Sequence, residues 1–185
     1  MELCVADTGI ERLVEHYGER AYRLAWRITG ATDEAEVVTQ NALMRAARSI
    51  QSIDDEAAFD SWIFRTVARE AAERRRRRWP GDEGVLEAIE EALPVGGGHF
   101  EPMDDWSARV EELGLQTVLG EAIDALPADY RTTLVLHDVE GVSRPAIADA
   151  LDVETEVVKA RVHRARLFVR HRLSEYFERQ ARAST

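Results

Sequence analysis

Apolar side chains recur at three- and four-residue steps in three stretches of the N-terminal 78 residues, which is the spacing of one helix face. The first stretch covers residues 11–28 and ends at Gly30, a residue that readily adopts the left-handed conformation of a helix end. The second follows from residue 32, and the third covers residues 59–71 and stops at Pro80. We therefore predict three helices that pack as a bundle.

The helical pattern returns at about residue 113. Apolar stripes cover residues 118–126 and 130–139, and Ser143 is placed to cap a short helix that ends at residue 151. A longer helix is predicted from residue 155 towards residue 177, and no useful length of chain shows the alternation of a strand. The predicted fold is all-α, with two helical bundles joined by a flexible acidic linker and a helix-turn-helix in the C-terminal bundle.

The net charge of −11 is unevenly distributed along the chain. Residues 80–115 hold ten acidic residues and one basic residue, together with three prolines and a run of three glycines. Residues 155–185 hold eight basic and three acidic residues. The predicted units are therefore residues 1–79, an acidic linker over 80–115, and residues 116–185, with local basic patches in the two outer units.

Features that the sequence lacks disfavour several classes of protein. The N-terminus has no signal-peptide pattern and no apolar run approaches the roughly 20 residues of a spanning helix, so we expect a cytoplasmic protein without membrane insertion. Cys4 is the only cysteine, which rules out an internal disulfide and a cysteine-cluster zinc site. The five histidines lack the spacing of a metal site, and no nucleophile motif occurs. We expect no cofactor, no metal and no enzyme activity.

The most informative motif covers residues 141–166, where two short apolar patterns flank a turn at residues 152–153. Ile147 and Val158 are among the apolar residues spaced as the two helices of a helix-turn-helix require. The second helix presents basic side chains suited to phosphates and base edges in a major groove. These candidate DNA-binding side chains are Lys159, Arg161, His163, Arg164 and Arg166. The pattern alone also fits a solvated basic face on an ordinary helical hairpin.

The C-terminal unit resembles the minus-35-binding domain of extracytoplasmic-function sigma factors in three segments: ALPADYR at 125–131, LHDVEGVS at 136–143 and VKARVHRAR at 158–166. The N-terminal unit resembles the promoter-melting domain of the same family. Its segment AEVVTQNALMRA at 35–46 looks like the helix that docks on the polymerase clamp, and FDSWIFRTVAREA at 59–71 looks like the helix that captures unstacked minus-ten bases. The resemblance covers nearly the whole chain.

This resemblance implies a transcription initiation factor that binds core RNA polymerase and directs it to promoter DNA. The N-terminal domain would open the minus-ten element, and the C-terminal helix-turn-helix would read the minus-35 element. The implied polymerase-binding residues are Glu36, Gln40, Asn41 and Arg45. The implied DNA-binding residues of the N-terminal domain are Trp62, Arg65, Arg69, Arg74, Arg75, Arg76, Arg77 and Arg78. An anti-sigma factor that clamps between the two domains is implied as a further partner.

The residues themselves leave some of these roles open. Trp62 lies on an apolar stripe and fits a core position as well as a base-stacking one. The arginine run at 74–78 also fits a solvated helix end, where cations suit the helix dipole. The acidic linker is either a solvated tether or, as in the family, a segment that threads through polymerase channels and is displaced by RNA of similar charge.

Several positions differ from the family pattern. Val37 and Asn41 stand where acidic residues typically help to bind the clamp, and Arg69 stands where an asparagine commonly reads a flipped base. Asp152 replaces the usual glycine of the helix-turn-helix, and Glu156 adds negative charge near the start of the recognition helix. We therefore expect an unusual promoter preference.

Two other functions remain as alternatives. A stand-alone helix-turn-helix repressor would use only the C-terminal bundle and bind duplex DNA without polymerase, usually as a dimer over a palindrome. A degenerate sigma-like adaptor would retain the fold without promoter recognition. A gel shift with the isolated protein separates the repressor from an initiation factor, since sigma factors of this kind bind promoters poorly alone.

Overall fold

The structure, a computed structural model, describes residues 3–49, 56–78 and 116–183, and the predicted linker over 80–115 lies outside these ranges. Within them every regular element is helical, which confirms the predicted all-α fold. The helices are α1 (Leu3–Thr29), α2 (Thr32–Ser49), α3 (Glu56–Arg78), α4 (Gln116–Asp124), α5 (Ala128–Leu134), a π-helical turn (Val135–Val139), α6 (Arg144–Leu151) and α7 (Thr155–Ala183). None of the helices in these ranges is long and apolar enough to cross a membrane.

The corner between α1 and α2 has the predicted geometry. α1 begins at Leu3 rather than at residue 11, because extending a helix that is already nucleated costs little. The helix ends at Gly30, whose φ is +71° and whose N–H donates to the Trp26 carbonyl at 2.8 Å. The predicted left-handed glycine end is confirmed.

The chain after α5 departs from the single helix that was predicted over residues 130–139. α5 ends at Leu134, and Val135–Val139 forms a π-helical turn in which the Glu140 N–H donates to the Val135 carbonyl at 3.0 Å. A π-helical turn contains more residues than an α-helical turn, and apolar spacing over ten residues is too short to distinguish them.

The helix-turn-helix has the predicted bounds. Ser143 is the N-cap residue of α6 and is extended, although its side chain makes no capping hydrogen bond. Asp152 ends α6 with a φ of +57°, a left-handed conformation that favours glycine but that aspartate adopts more readily than most residues. The following N–H, of Val153, donates to the Ala148 carbonyl at 3.0 Å and closes the helix end.

The two units pack against each other through one apolar cluster. Its N-terminal members lie on α1, α2 and α3, and its C-terminal members lie on the π-helical turn, α6 and α7. Its larger members include Leu24, Ile28, Val38, Val67, Leu136, Ile147, Val158 and Val162, all almost fully buried. The predicted bundles therefore share part of their core, which the separate helix patterns did not indicate.

Arg75 is a buried cation at the boundary between the two units. Its side chain is 4% exposed; Nη1 donates to the Thr29 carbonyl at 3.0 Å, and Nη2 donates to the carbonyls of Asp124 at 2.5 Å and Leu126 at 3.2 Å. Thr29 and Asp124 are the last residues of α1 and α4, whose final carbonyls have no partner within their own helix. One guanidinium group therefore donates hydrogen bonds to helix ends of both units.

Arg131 makes the reciprocal connection from the C-terminal unit. It is 3% exposed, donates through Nε to the Arg27 carbonyl at 2.6 Å and pairs with the Asp124 carboxylate. Burial lowers the pKa of Arg131, and Asp124 acts in the opposite direction. Gly30 lies beside both guanidinium groups, and a Cβ there would stand 3.3 Å from a nitrogen of Arg131 and of Arg75.

We predict that Arg75→Ala lowers the free energy of unfolding by about 2–4 kcal/mol, because buried carbonyls of both units lose their donor. Urea unfolding followed by far-ultraviolet circular dichroism measures the change. Arg77→Ala is the matched control from the same arginine run, since its side chain is 74% exposed and pairs one turn away with Glu73. It should change the free energy of unfolding by less than about 0.5 kcal/mol. Equal losses in the two variants would contradict the role given to Arg75.

Candidate nucleic-acid interface

A polar groove with a volume of about 610 Å³ runs between α2 and α3. Its charged lining consists of the five arginines Arg45, Arg65, Arg69, Arg74 and Arg77 and the two glutamates Glu70 and Glu73. Positive charge therefore prevails in the groove, as a site for a phosphate backbone requires. Five of the predicted minus-ten residues line it, namely Trp62, Arg65, Arg69, Arg74 and Arg77.

Trp62 combines the two positions that its sequence context left open. The indole is half-buried at the edge of an apolar cluster and lies roughly parallel to the Phe59 ring, with centroids 6.0 Å apart and an interplanar angle of 26°. It also lines the groove. An aromatic surface is therefore available beside the arginines, which is the combination that binds single-stranded nucleic acids.

The arginine run at 74–78 does not form one basic face, because successive residues of an α-helix point about 100° apart. Arg74 and Arg78 turn towards α2, where they donate to Glu34 and Asp33 respectively, each at 2.8 Å. Arg75 is buried, and Arg77 pairs with Glu73 along α3. Arg76 faces the C-terminal unit, with Nε 3.1 Å from Asp129 Oδ1.

The α2 contacts affect the ionisation of the groups involved. The hydrogen bond from Arg78 lowers the pKa of Asp33, and the reciprocal bond raises the pKa of Arg78. The hydrogen bond to Glu34 raises the pKa of Arg74. Arg74 and Arg78 are therefore charged at neutral pH. Each already has an acidic partner on α2, and a DNA phosphate would have to compete with that partner.

The four residues predicted to bind polymerase fall on two sides of α2. Glu36 and Gln40 are exposed on the side away from the groove, whereas Asn41 and Arg45 line it. Asn41 donates through Nδ2 to Glu70 Oε1 at 2.6 Å. The structure therefore does not bring the four residues together as one surface.

The first three turns of the recognition helix α7 include exposed side chains that follow directly on the helix-turn-helix corner. Lys159 and His163 are exposed there, together with Glu156 and Val157. Lys159 Nζ lies 3.3 Å from Glu156 Oε2. The N-terminal end of this helix is the part that reaches base edges in helix-turn-helix proteins.

The other three predicted DNA-binding cations of α7 are half-buried and bonded to neighbouring elements. Arg161 donates to Asp129 Oδ2 at 2.7 Å, and Arg164 donates to the Tyr130 hydroxyl at 3.4 Å. Arg166 donates to both oxygens of Asp138, from Nε at 2.9 Å and from Nη2 at 2.5 Å. These contacts fix α7 against α5 and the π-helical turn.

Asp138 is the central acceptor of this helix contact. Its side chain is 9% exposed, and His137 Nδ1 lies 2.6 Å from its Oδ1. Burial raises the pKa of Asp138, but the hydrogen bonds from Arg166 and His137 outweigh burial and hold it below its ordinary value of 3.8. The carboxylate is therefore ionised at neutral pH and pairs with Arg166.

Ion pairs also cross the boundary between the two units. Asp129 accepts from Arg76 of α3 as well as from Arg161 of α7, so one carboxylate is shared by two predicted DNA-binding cations. Arg65 pairs with Asp149 of α6. Phosphates and these carboxylates are alternative partners for the same arginines.

The acidic partners are the functional residues that the sequence reasoning missed. Asp129 and Asp138 lie within the ALPADYR and LHDVEGVS segments, and Glu70 lies within the α3 segment, but none was singled out. The arginine partners of Asp129 and Asp138 on α7 are 32 and 28 residues away, and Glu70 accepts from Asn41, 29 residues away on another helix. A single sequence does not indicate such pairings.

Comparison with known proteins identifies the class. Residues 13–80 match the family model of sigma-70 region 2, and residues 116–169 match that of sigma-70 region 4. The chain is 30% identical over 175 residues to the ECF RNA polymerase sigma factor SigE of Mycolicibacterium smegmatis, covering 94% of this chain and 65% of that protein. It is 28% identical over 168 residues to SigW of Bacillus subtilis, covering 88% of each chain.

The fold has a counterpart among solved structures. The sigma factor RpoE of Bartonella quintana, determined in complex with the anti-sigma factor NepR, superimposes with a TM-score of 0.60 at 20% identity, covering 89% of this chain and 96% of that one. The region 2 and region 4 matches define a sigma-70-type protein. Within that class, the chain belongs to the extracytoplasmic-function (ECF) sigma factors, transcription initiation factors that direct RNA polymerase to promoters.

We predict that Asp138→Asn lowers the free energy of unfolding at pH 7 by about 1–3 kcal/mol, because half-buried Arg166 loses its carboxylate partner. Since the pKa of Asp138 is lower in the folded state, the carboxylate's contribution is fully present above its ordinary pKa of 3.8 and is lost as the pH falls through the folded value. The difference between wild type and variant should be constant from about pH 7 to pH 5 and then shrink on further acidification. Urea unfolding at each pH measures the free energy of unfolding of both proteins. A difference between them that grows as the pH falls would contradict the ion pair.

Proposed function

We propose that the two domains divide promoter recognition as the sequence predicts. The α2–α3 groove would hold melted minus-ten DNA, and the start of α7 would read the minus-35 element in the major groove. The observation that carries this proposal is the presence, in one chain, of an arginine-lined groove with an aromatic wall and a helix-turn-helix with an exposed recognition helix. We expect it to act in the cytoplasm with core RNA polymerase.

Within α7, we propose that Lys159 and His163 make the base or phosphate contacts. Both are exposed near the start of the helix, while Arg161, Arg164 and Arg166 bond to neighbouring elements. Glu156 beside Lys159 supports a preference for bases that donate a hydrogen bond, such as cytosine through its amino group. This pair would give the unusual promoter preference expected from the sequence.

We propose that promoter binding requires the two domains to separate. Arg76 and Arg65 of the N-terminal domain pair with Asp129 and Asp149 of the C-terminal domain. Arg161 pairs with the same Asp129 from within the C-terminal domain. DNA that takes these arginines removes contacts from the domain boundary. The packed arrangement would therefore precede engagement with the promoter.

We also propose control by an anti-sigma factor, since the fold resembles a sigma factor whose structure was determined with one. The repressor alternative has less support, because a region 2 domain with a groove of its own has no role in a protein that uses only the helix-turn-helix. A sigma-like adaptor would bind polymerase without promoter specificity.

Reconstitution with core RNA polymerase tests the proposed function. Run-off transcription of sheared genomic DNA should give defined start sites that depend on the chain, and the isolated protein should shift the recovered promoters poorly. Tight binding of those promoters without polymerase favours the repressor. Polymerase binding without specific transcripts favours the adaptor.

We predict that Lys159→Ala weakens holoenzyme binding to the recovered promoters about 5- to 20-fold, because one cationic contact to the duplex is lost. Fluorescence anisotropy of labelled promoter fragments measures the affinity. Arg179→Ala is the control, since Arg179 is an exposed cation near the other end of α7 and pairs with Glu175. The two variants should have the same affinity for core polymerase, and equal losses of DNA binding would argue against Lys159 as a recognition residue.

A further inference from the structure

A second cavity, of about 260 Å³, lies at the boundary between the two domains. Residues of α1 and α3 line one side, and residues of the π-helical turn and α6 line the other. Its apolar floor consists of Leu24, Phe64, Leu136, Val142 and Ile147, which belong to the apolar cluster shared by the domains or pack against it. A ligand in this cavity would therefore contact both domains at once.

Four charged side chains also line the cavity, namely Arg20, Asp60, Arg65 and Glu140. Asp60 accepts a hydrogen bond from the Tyr17 hydroxyl at 2.5 Å. Arg65 and Glu140 each pair with an opposite charge of the other domain. Within the described ranges, Arg20 is the one lining cation without a carboxylate partner. The cavity therefore offers one positive charge that a ligand can pair with.

Arg20 lies directly beside the apolar floor. Its guanidinium carbon stands 4.4 Å from the centre of the Phe64 ring, a cation–π contact that restricts the positions of a long side chain. The planar fork of N–H donors on a guanidinium group matches the two oxygens of a carboxylate. A carboxylate bound to Arg20 would thus lie next to apolar surface that both domains provide.

Volume and charge restrict the class of ligand. The cavity is slightly smaller than the ~300–1,000 Å³ of typical small-molecule sites, so the ligand has to be small. A dianion such as a phosphate monoester would meet the carboxylates of Asp60 and Glu140 with one unpaired guanidinium to offset them. A monocarboxylate with a compact apolar group matches both the single cation and the floor.

We propose that this cavity binds a small monocarboxylate with an apolar group, that Arg20 pairs with its carboxylate, and that the bound ligand stabilises the packed arrangement of the two domains. The last part rests on the proposed function, in which promoter binding requires the domains to separate. A ligand that binds only the packed arrangement opposes separation by mass action. The chain would then respond to a metabolite of this class.

Calorimetric titration of the full-length free chain tests the site. The probes are phenylacetate and 3-phenylpropionate, with phenylacetamide as the neutral isostere, phenyl phosphate as the dianion and acetate as the carboxylate without an apolar group. We expect at least one of the two aromatic carboxylates to bind with a dissociation constant below about 1 mM. The three comparison compounds should bind at least fivefold more weakly. Equal binding of phenylacetamide or phenyl phosphate overturns the assignment to a monocarboxylate.

Variants from opposite domains test whether the site spans the boundary. Arg20→Ala should weaken binding of the carboxylate probe at least fivefold and abolish its preference over phenylacetamide. Ala146→Leu places a larger side chain in the cavity from the side of α6 and should also weaken binding at least fivefold. Arg20 and Ala146 are both exposed, so the two variants should fold, and circular dichroism melting checks this.

Arg23→Ala is the matched control on α1, since Arg23 is an exposed arginine that does not line the cavity and pairs with Glu19. It should bind the probe within twofold of wild type. Equal losses in Arg20→Ala and Arg23→Ala would show a general charge effect and overturn the site. Sedimentation without probe examines a second copy of the chain as the occupant. A dimer that Ala146→Leu disrupts would overturn the small-molecule proposal.

Run-off transcription with limiting chain tests the effect on promoter binding. At ten times its dissociation constant, the probe should raise the concentration of wild-type chain needed for half-maximal transcription by up to about tenfold. Arg20→Ala should not respond to the probe.

Failure of the proposed function gives a different result. If the probe binds as expected but transcription by the wild type does not respond, the site stands and the requirement for domain separation fails. If the chain supports transcription but neither aromatic carboxylate binds it, only the inference about this cavity fails.

Discussion

The packed arrangement of the two domains depends on a buried cation that satisfies helix ends on both sides of their boundary. Arg75 belongs to α3 by sequence, but its donors reach carbonyls at the ends of α1 and α4. A buried guanidinium is tolerated only when its donors find acceptors, and here the final carbonyls of helices supply them. Gly30 is favoured at the same place, because its positive φ strains a residue with a side chain and a Cβ would crowd the two adjacent guanidinium groups.

The arginines of this sigma factor therefore perform different tasks despite their similar sequence context. Arg75 and Arg131 are structural, Arg76 and Arg161 meet at one carboxylate, and the groove arginines remain around a cavity that can admit a ligand. The helical twist causes this division, since neighbouring side chains on α3 point in different directions. Composition alone gives no information about which arginine has which task.

The sequence predicts the helices well because their signals are local. Apolar periodicity, Gly30 and Ser143 all act within one or two turns, and the structure has α2, α6, the end of α1 and the start of α7 where these signals place them. The π-helical turn and the domain packing were not predicted, because they depend on contacts between distant segments, such as the pair of Arg27 with Glu140. The candidate site shows the same limit. The sequence predicts which arginine and lysine residues are candidates for binding DNA. It does not predict the carboxylates with which they pair.

The shared carboxylate of Asp129 affects how ionic strength should act on this protein. A cation that leaves water for a DNA phosphate normally releases a counterion, and the number released sets the salt dependence of binding. Arg76 and Arg161 would instead exchange one anion for another, since each already lies within 3.1 Å of an Asp129 oxygen. The salt dependence of promoter binding would then understate the number of phosphate contacts, because salt weakens the initial and the final pairing alike.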